Sequence, residues 1–139
     1  MTDVDDLVTW LREQITEDRQ VAHAAHSRVE HGTERWYGKD ARIVDGVGHL
    51  IVTHSWVNEI AHIVRHDPRT VLAQCDAHEA ILDLFEYVCD SSNDQRSDEQ
   101  GVLMSNPVAR RRMRDVVRRL GLAYRHRPGY RDEWRWKSA

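Results

Sequence analysis

Apolar residues recur three and four positions apart at Val4, Leu7, Val8, Leu11, Ile15, Ala22, Ala25 and Val29, the stripe of a helix that buries one side. The spacing predicts a helix over residues 3–30, stopped at Gly32, with Asp3 or Asp5 capping its start and the early acids suiting the positive end of the helix dipole. From Arg35 to Ser55 the pattern changes: Trp36, Tyr37, Ile43, Val44, Leu50, Ile51, Val52 and Thr53 favour strand, and Asp45-Gly46-Val47-Gly48 interrupts them. This predicts a β-hairpin over residues 35–55, its turn at Asp45-Gly46 and lengthened or bulged by the second glycine. A lone hairpin is marginal in water, so its apolar face must rest on helices.

Ser55 is placed to cap a short helix over residues 56–66, with Val57, Ile60, Ala61 and Val64 as its buried stripe. It must end near His66, because the residue before a proline avoids helical angles. Asp67 then caps a helix whose first position is Pro68, where a missing N–H costs nothing. That helix, over residues 68–90, is apolar on two sides, through Val71, Cys75, His78, Leu82, Phe85 and Cys89 and through Ala77, Ile81, Leu84 and Val88. A helix buried on both sides would be the central one. Residues 91–106 are polar and turn-rich, the composition of a mobile loop. Asn106-Pro107 repeats the cap-then-proline signal and opens a basic amphipathic helix over residues 107–120, with Ala109, Met113, Val116, Val117 and Leu120 on its apolar face. Residues 122–139 form an aromatic tail that must dock, since a free tail would expose its rings to water. The expected fold is α+β and mostly helical, about four helices with one β-hairpin between the first and second.

A length of 139 residues suits a single domain over residues 1–139. The acidic start lacks the basic and apolar regions of an export signal, and no apolar run approaches the roughly 20 residues that cross a bilayer. The expectation is a cytoplasmic protein with no membrane association. Cys75 and Cys89 on one helix would lie about 21 Å apart at 1.5 Å per residue, too far for a disulfide, so both are expected to be reduced.

Two constellations carry candidate chemistry. Glu59, His62 and His66 sit three and four apart on one helix and project from one face, so they could converge on a divalent metal, with His23 and His26 of the first helix as candidate further ligands. The competing reading has His62 and His66 flanking an apolar stripe and bonded to backbone or carboxylates. His78 lies among the apolar positions of the long helix, where a neutral imidazole with one bond is expected. His49 and His54 bracket a strand and point to opposite faces. No nucleophile elbow, phosphate-binding loop or dinucleotide-binding glycine pattern occurs, so hydrolase, kinase and dehydrogenase readings have no anchor and no catalytic residue is assigned; the reading leans away from an enzyme without deciding it.

Charge distribution adds the second constellation. Residues 107–139 carry eleven Lys or Arg against three acids, whereas the preceding part carries nine against twenty. Arg110, Arg111, Arg114 and Arg118 form a basic ridge on the fourth helix that could neutralise phosphates of a nucleic acid. The alternative is a ridge whose arginines are solvated or paired with the acids of the preceding part.

Glu59-Ile60-Ala61-His62-Ile63-Val64-Arg65-His66-Asp67-Pro68-Arg69-Thr70-Val71-Leu72 and Leu122-Ala123-Tyr124-Arg125-His126-Arg127-Pro128-Gly129-Tyr130-Arg131-Asp132-Glu133-Trp134 together resemble a family of small proteins of unknown function from actinobacteria and their phages. In that family an acidic-x-x-His-Ile-x-Arg-His-Asp-Pro-x-x-Val-Leu run precedes a long helix, and a His-Pro-x-Tyr-Arg-x-Glu-Trp ending closes the chain. Asp6-Leu7-Val8-Thr9-Trp10-Leu11 and the acids Glu17-Asp18 are similar to its first helix. The chain departs from the pattern at His31-Gly32-Thr33-Glu34-Arg35-Trp36, where the family has Thr-Pro-Gly-Pro-Trp. The resemblance implies a host and genetic setting, with no catalytic residue to carry over. The leading expectation is therefore a binding or regulatory protein acting through contact with a protein partner. Nucleic-acid association through the basic helix and metal binding are the alternatives.

Overall fold

The computed structural model describes residues 2–26, 32–90 and 107–137. Its elements are α1 (Asp3–Ala25), β1 (Trp36–Lys39), β2 (Arg42–Asp45), β3 (Leu50–Val52), α2 (Val57–Arg65), α3 (Pro68–Cys89) and α4 (Pro107–Gly121), followed by two 3-10 turns, Leu122–Tyr124 and Asp132–Trp134. The fold is α+β and mostly helical, with the sheet between the first and second helices. The expected extension of the first helix to residue 30, the mobile loop over 91–106 and the cap at Asn106 lie outside the described residues.

Thr2, and not Asp3 or Asp5, caps α1. The Thr2 N–H and hydroxyl donate to Asp5 Oδ2 at 2.8 and 2.7 Å, and the Asp5 N–H returns to Thr2. Threonine followed three residues later by an acid is a reciprocal capping box, and these donors, the Thr2 backbone N–H foremost, hold the Asp5 carboxyl below its ordinary pKa.

The chain divides into two compact units, residues 1–15 with 77–139 and residues 16–76. In the first, Leu7, Leu11 and Ile15 of α1, Leu82 and Phe85 of α3, Val117 of α4, Tyr124 and Trp134 are buried. The second apolar face expected of α3 is buried in part: Val88 is buried and Ile81 half-buried. Leu84, expected on a second buried face, is 49% exposed, and Ala77 is exposed as well. Leu84 lies next to Asp83 on the polar flank of α3, where Asp83 and Glu86 receive Arg12 of α1 at 2.9 and 3.0 Å. Cys75 is buried and Cys89 half-buried, both as free thiols.

In the second unit, Ala22, Ile43 and Cys75 are the buried apolar residues, accompanied by buried Thr33, Asp45 and Asp67. The expected hairpin has a third strand: β1, β2 and β3 form an antiparallel meander in that order. The extra turn is Asp40-Ala41, whose φ angles of 50° and 61° are those of a two-residue connection with both central residues left-handed. Asp45-Gly46-Val47-Gly48 makes the wider link from β2 to β3, beside a register shift at Ile43/Val44. The buried Asp45 carboxylate closes that link by accepting the Val47 and His49 N–H groups at 3.1 and 2.8 Å and facing His49 Nδ1 at 3.0 Å. Burial pushes the Asp45 carboxyl up, but the His49 and Val47 donors outweigh it and leave the pKa lowered.

α2 lies on the sheet so closely that a Cβ at Gly38 would fall 2.7 Å from Ile60 Cγ2. Asp67 caps α3 as expected, accepting from the Thr70 N–H at 2.9 Å. Its other oxygen accepts from the Trp36 N–H at 3.1 Å and so ties the helix start to β1.

Candidate nucleic-acid interface

α4 forms because Pro107 suits a first helical position and an apolar stripe follows, with Val117 fully buried and Met113 and Leu120 half-buried. The arginines on its remaining faces include Arg118 and Arg119 in the last turn, where they favour the negative end of the helix dipole. α4 ends at Gly121, where a Cβ would sit 3.3 Å from Leu7 Cδ1. A side chain there would press on the tip of Leu7, which would have to give by a few tenths of an ångström.

The tail then turns back, held by its aromatic residues. The buried Tyr124 shares a 2.6 Å hydrogen bond with His78 Nδ1, and the Arg127 guanidinium lies 4.8 Å over the Tyr124 ring. Gly129 has φ +89°, and a Cβ there would lie 2.8 Å from Trp10 Nε1, so the turn needs glycine both for its angle and for its fit. Beyond it Tyr130 and Trp134 gather around Trp10, with ring centroids 5.8, 5.6 and 5.7 Å apart. Burial raises the Tyr130 phenol pKa. Arg131 covers Trp134 at 5.0 Å and reaches Asp6 at 3.4 Å.

This docking sets Arg135, Trp136 and Lys137 beside α4. Arg119 lies 4.3 Å over the Trp136 ring, and Arg118 donates to the Glu133 carbonyl at 3.5 Å. Between α4 and the tail opens a groove of about 320 Å³, lined by five cations, Arg111, Arg114, Arg118, Arg135 and Lys137, against two carboxylates, Asp115 and Glu133, with Trp136 in the wall. Among the described residues, Arg111, Arg114, Arg135 and Lys137 form no ion pair. The carboxylates of α3 are met instead by α1: Arg12 takes Asp83 and Glu86, and Arg19 takes Asp76 at 2.9 Å. For Arg12, burial acts against the charge, but the bonds to Asp83 and Glu86 prevail and raise its pKa.

Of the four arginines expected to form the ridge, Arg111, Arg114 and Arg118 line the groove. Arg110 does not. It is half-buried and its charge acts on the Cys89 thiol, whose pKa is nonetheless raised by burial. Arg135, Trp136 and Lys137 were not legible as partners of this face. The signal that could have found them is the alternation of Trp134, Arg135, Trp136 and Lys137, apolar and cationic by turns.

The histidines and Glu59 take other tasks. Glu59 Oε2 accepts from the Trp56 N–H at 3.0 Å and from the Ser55 hydroxyl at 3.3 Å, so it closes the start of α2, with Trp56 rather than Ser55 in the cap position. The His62 and His66 rings lie 4.5 Å apart, with His66 Nδ1 2.8 Å from the His62 carbonyl oxygen. His23 and His26 form a separate pair at 5.4 Å. Among the described residues, no three His, Cys, Asp or Glu side chains are grouped to hold a metal, and no helix is long and apolar enough to cross a membrane.

No curated protein and no solved structure matches the chain. A protein-family model does match, over residues 4–136, a span that contains both the His-Asp-Pro run ahead of α3 and the tail that builds the groove. The chain belongs to that family, DUF6221, a family of unknown function.

Proposed function

We propose that this protein binds nucleic acid through the phosphate backbone, using the groove between α4 and the tail, as a small accessory or regulatory protein of actinobacterial or phage origin acting in the cytoplasm. The observation that carries this reading is the set of four cations, Arg111, Arg114, Arg135 and Lys137, that share one groove and have no ion pair among the described residues. Five cations against two carboxylates leave the groove with a net positive charge, whose self-repulsion a polyanion relieves while releasing its own condensed counterions. The overall charge of −3 does not oppose this, because residues 107–139 carry eleven Lys or Arg against three acids and salt screens charges beyond about 8–10 Å.

The test is fluorescence anisotropy of a labelled oligonucleotide against salt. Engagement of about four phosphates of a single strand gives a slope near −2.8 in log affinity against log salt, or about 50-fold weaker binding at 200 mM than at 50 mM. No binding at 50 mM, or an affinity indifferent to salt, overturns the reading.

A second reading, contact with a protein partner, is favoured by a different surface. Trp56 is 76% and Val57 79% exposed at the start of α2, a helix with no fully buried residue. Neighbouring exposed apolar side chains of that size suit a hot spot more than a solvated surface. Crosslinking in host lysate with the native chain and a Trp56→Ser/Val57→Ser variant tests it: a partner lost from the variant supports the reading, and identical partner sets remove it.

A further inference from the structure

Resting on the nucleic-acid reading, we infer that the groove takes single-stranded rather than duplex nucleic acid, with Trp136 as the surface on which a base stacks. The first argument is steric. The major groove is about 12 Å wide and admits one α-helix, and a helix with its side chains measures about 10–12 Å across. The face of α4 that carries Arg111, Arg114 and Arg118 shares its groove with Arg135, Trp136 and Lys137 of the tail. Helix and tail side by side are too broad to enter a duplex groove with these cations foremost.

The second argument is chemical. A single strand offers a flexible phosphate chain and unpaired base faces, and proteins that bind it combine a cationic groove with aromatic rings beside the path. Here Trp136 lines the groove among the cations and remains half-exposed. The Arg119 guanidinium lies 4.3 Å from its ring centroid, a favourable contact of a cation with the electron-rich indole. The buried Trp134 anchors the chain two residues earlier, so the platform is placed before any ligand arrives. With one side of Trp136 supported by Arg119, a base adds to a stack already begun, and the phosphates on either side of that base fall to Arg111, Arg114, Arg135 and Lys137. Sequence preference should be slight, since every base has a face to stack.

The experiment compares a labelled single strand and the duplex of the same sequence, at 50 mM salt, with the native chain, Trp136→Ala and Trp136→Phe. The native chain should bind the single strand at least tenfold more tightly than the duplex. Trp136→Ala should weaken single-strand binding about tenfold or more, with the salt slope unchanged because no phosphate contact is lost. Trp136→Phe should recover most of the loss. Near-UV circular dichroism of each variant verifies that the tail remains docked; if Trp136→Ala unseats it, Trp136→Phe against Trp136→Leu makes the same comparison with a side chain of similar bulk. Equal binding of single strand and duplex, or ring-free variants that bind as the native chain does, overturns this inference and leaves the backbone reading standing. Binding of neither ligand overturns both.

Discussion

Arg12 and Arg19 on α1 and Arg111 and Arg114 on α4 are the same residue type on exposed helix faces, yet they stand in opposite situations. The first two each reach carboxylates of α3 at 2.9 Å. The last two face a groove and form no ion pair among the described residues. Two buried carboxylates of the sheet unit are likewise engaged, Asp45 with the β2–β3 link and Asp67 with the start of α3 and with β1. The contrast separates charges used to hold the fold from charges left for something outside it. Removing the former should cost stability, and removing the latter should cost binding.

The largest expected effect comes from releasing the tail that brings Arg135 and Lys137 to α4. Trp134 is 2% exposed, and Trp134→Ala should lower the unfolding free energy by about 3–5 kcal/mol in chemical denaturation, with nucleic-acid binding falling in parallel. Next is Asp67→Ala, which removes a helix cap and strands the Trp36 N–H. Together these should cost about 2–3 kcal/mol in the same measurement and leave oligonucleotide affinity in place. Replacing Arg111, Arg114, Arg135 and Lys137 together by Gln should reduce affinity at 50 mM salt by on the order of a thousandfold and flatten the salt dependence, while stability moves by no more than about 0.5 kcal/mol.

Acid should affect the engaged carboxylates selectively. The Asp45 pKa is held below its ordinary value of 3.8, so its contribution is complete above 3.8 and is lost as pH falls through the lower folded value. Urea unfolding between pH 5 and pH 2 should show this loss, and Asp45→Asn should lack that part of it. Smallest is Arg12→Gln. Its partners Asp83 and Glu86 are more than half exposed, and a pair of this kind contributes about 0.2–1 kcal/mol.

Legibility in the sequence followed the range of the interactions. The stripe of α1 and the Asp67-Pro68 start of α3 depend on neighbours within a turn or two, and residue spacing reveals them. The Asp40-Ala41 turn was hidden because neither residue is glycine, while Asp45-Gly46 offered a stronger local signal a few positions on. The meander twists there at the expense of a left-handed alanine. Glu59 was a candidate ligand because its spacing to His62 and His66 suits one face; spacing alone did not reveal that its carboxylate also accepts from the Trp56 N–H at the helix start. At the groove, the arginines of α4 were visible as a ridge. That Arg111 and Arg114 form no ion pair among the described residues was not, because pairing depends on which side chains the fold brings together. The contribution of Arg135 and Lys137 was hidden for the same reason: it follows from Trp10, Tyr130 and Trp134 meeting across more than a hundred residues of chain.

The slope of log affinity against log salt, measured on one single-stranded oligonucleotide for the native chain, for Arg12→Gln/Arg19→Gln and for Arg111→Gln/Arg114→Gln, addresses the contrast between the two arginine pairs most directly. The native chain and the α1 variant should share a slope near −2.8, and the α4 variant should fall to about half of it. Equal slopes for all three proteins, or a loss confined to the α1 variant, would contradict the division between structural and available charge.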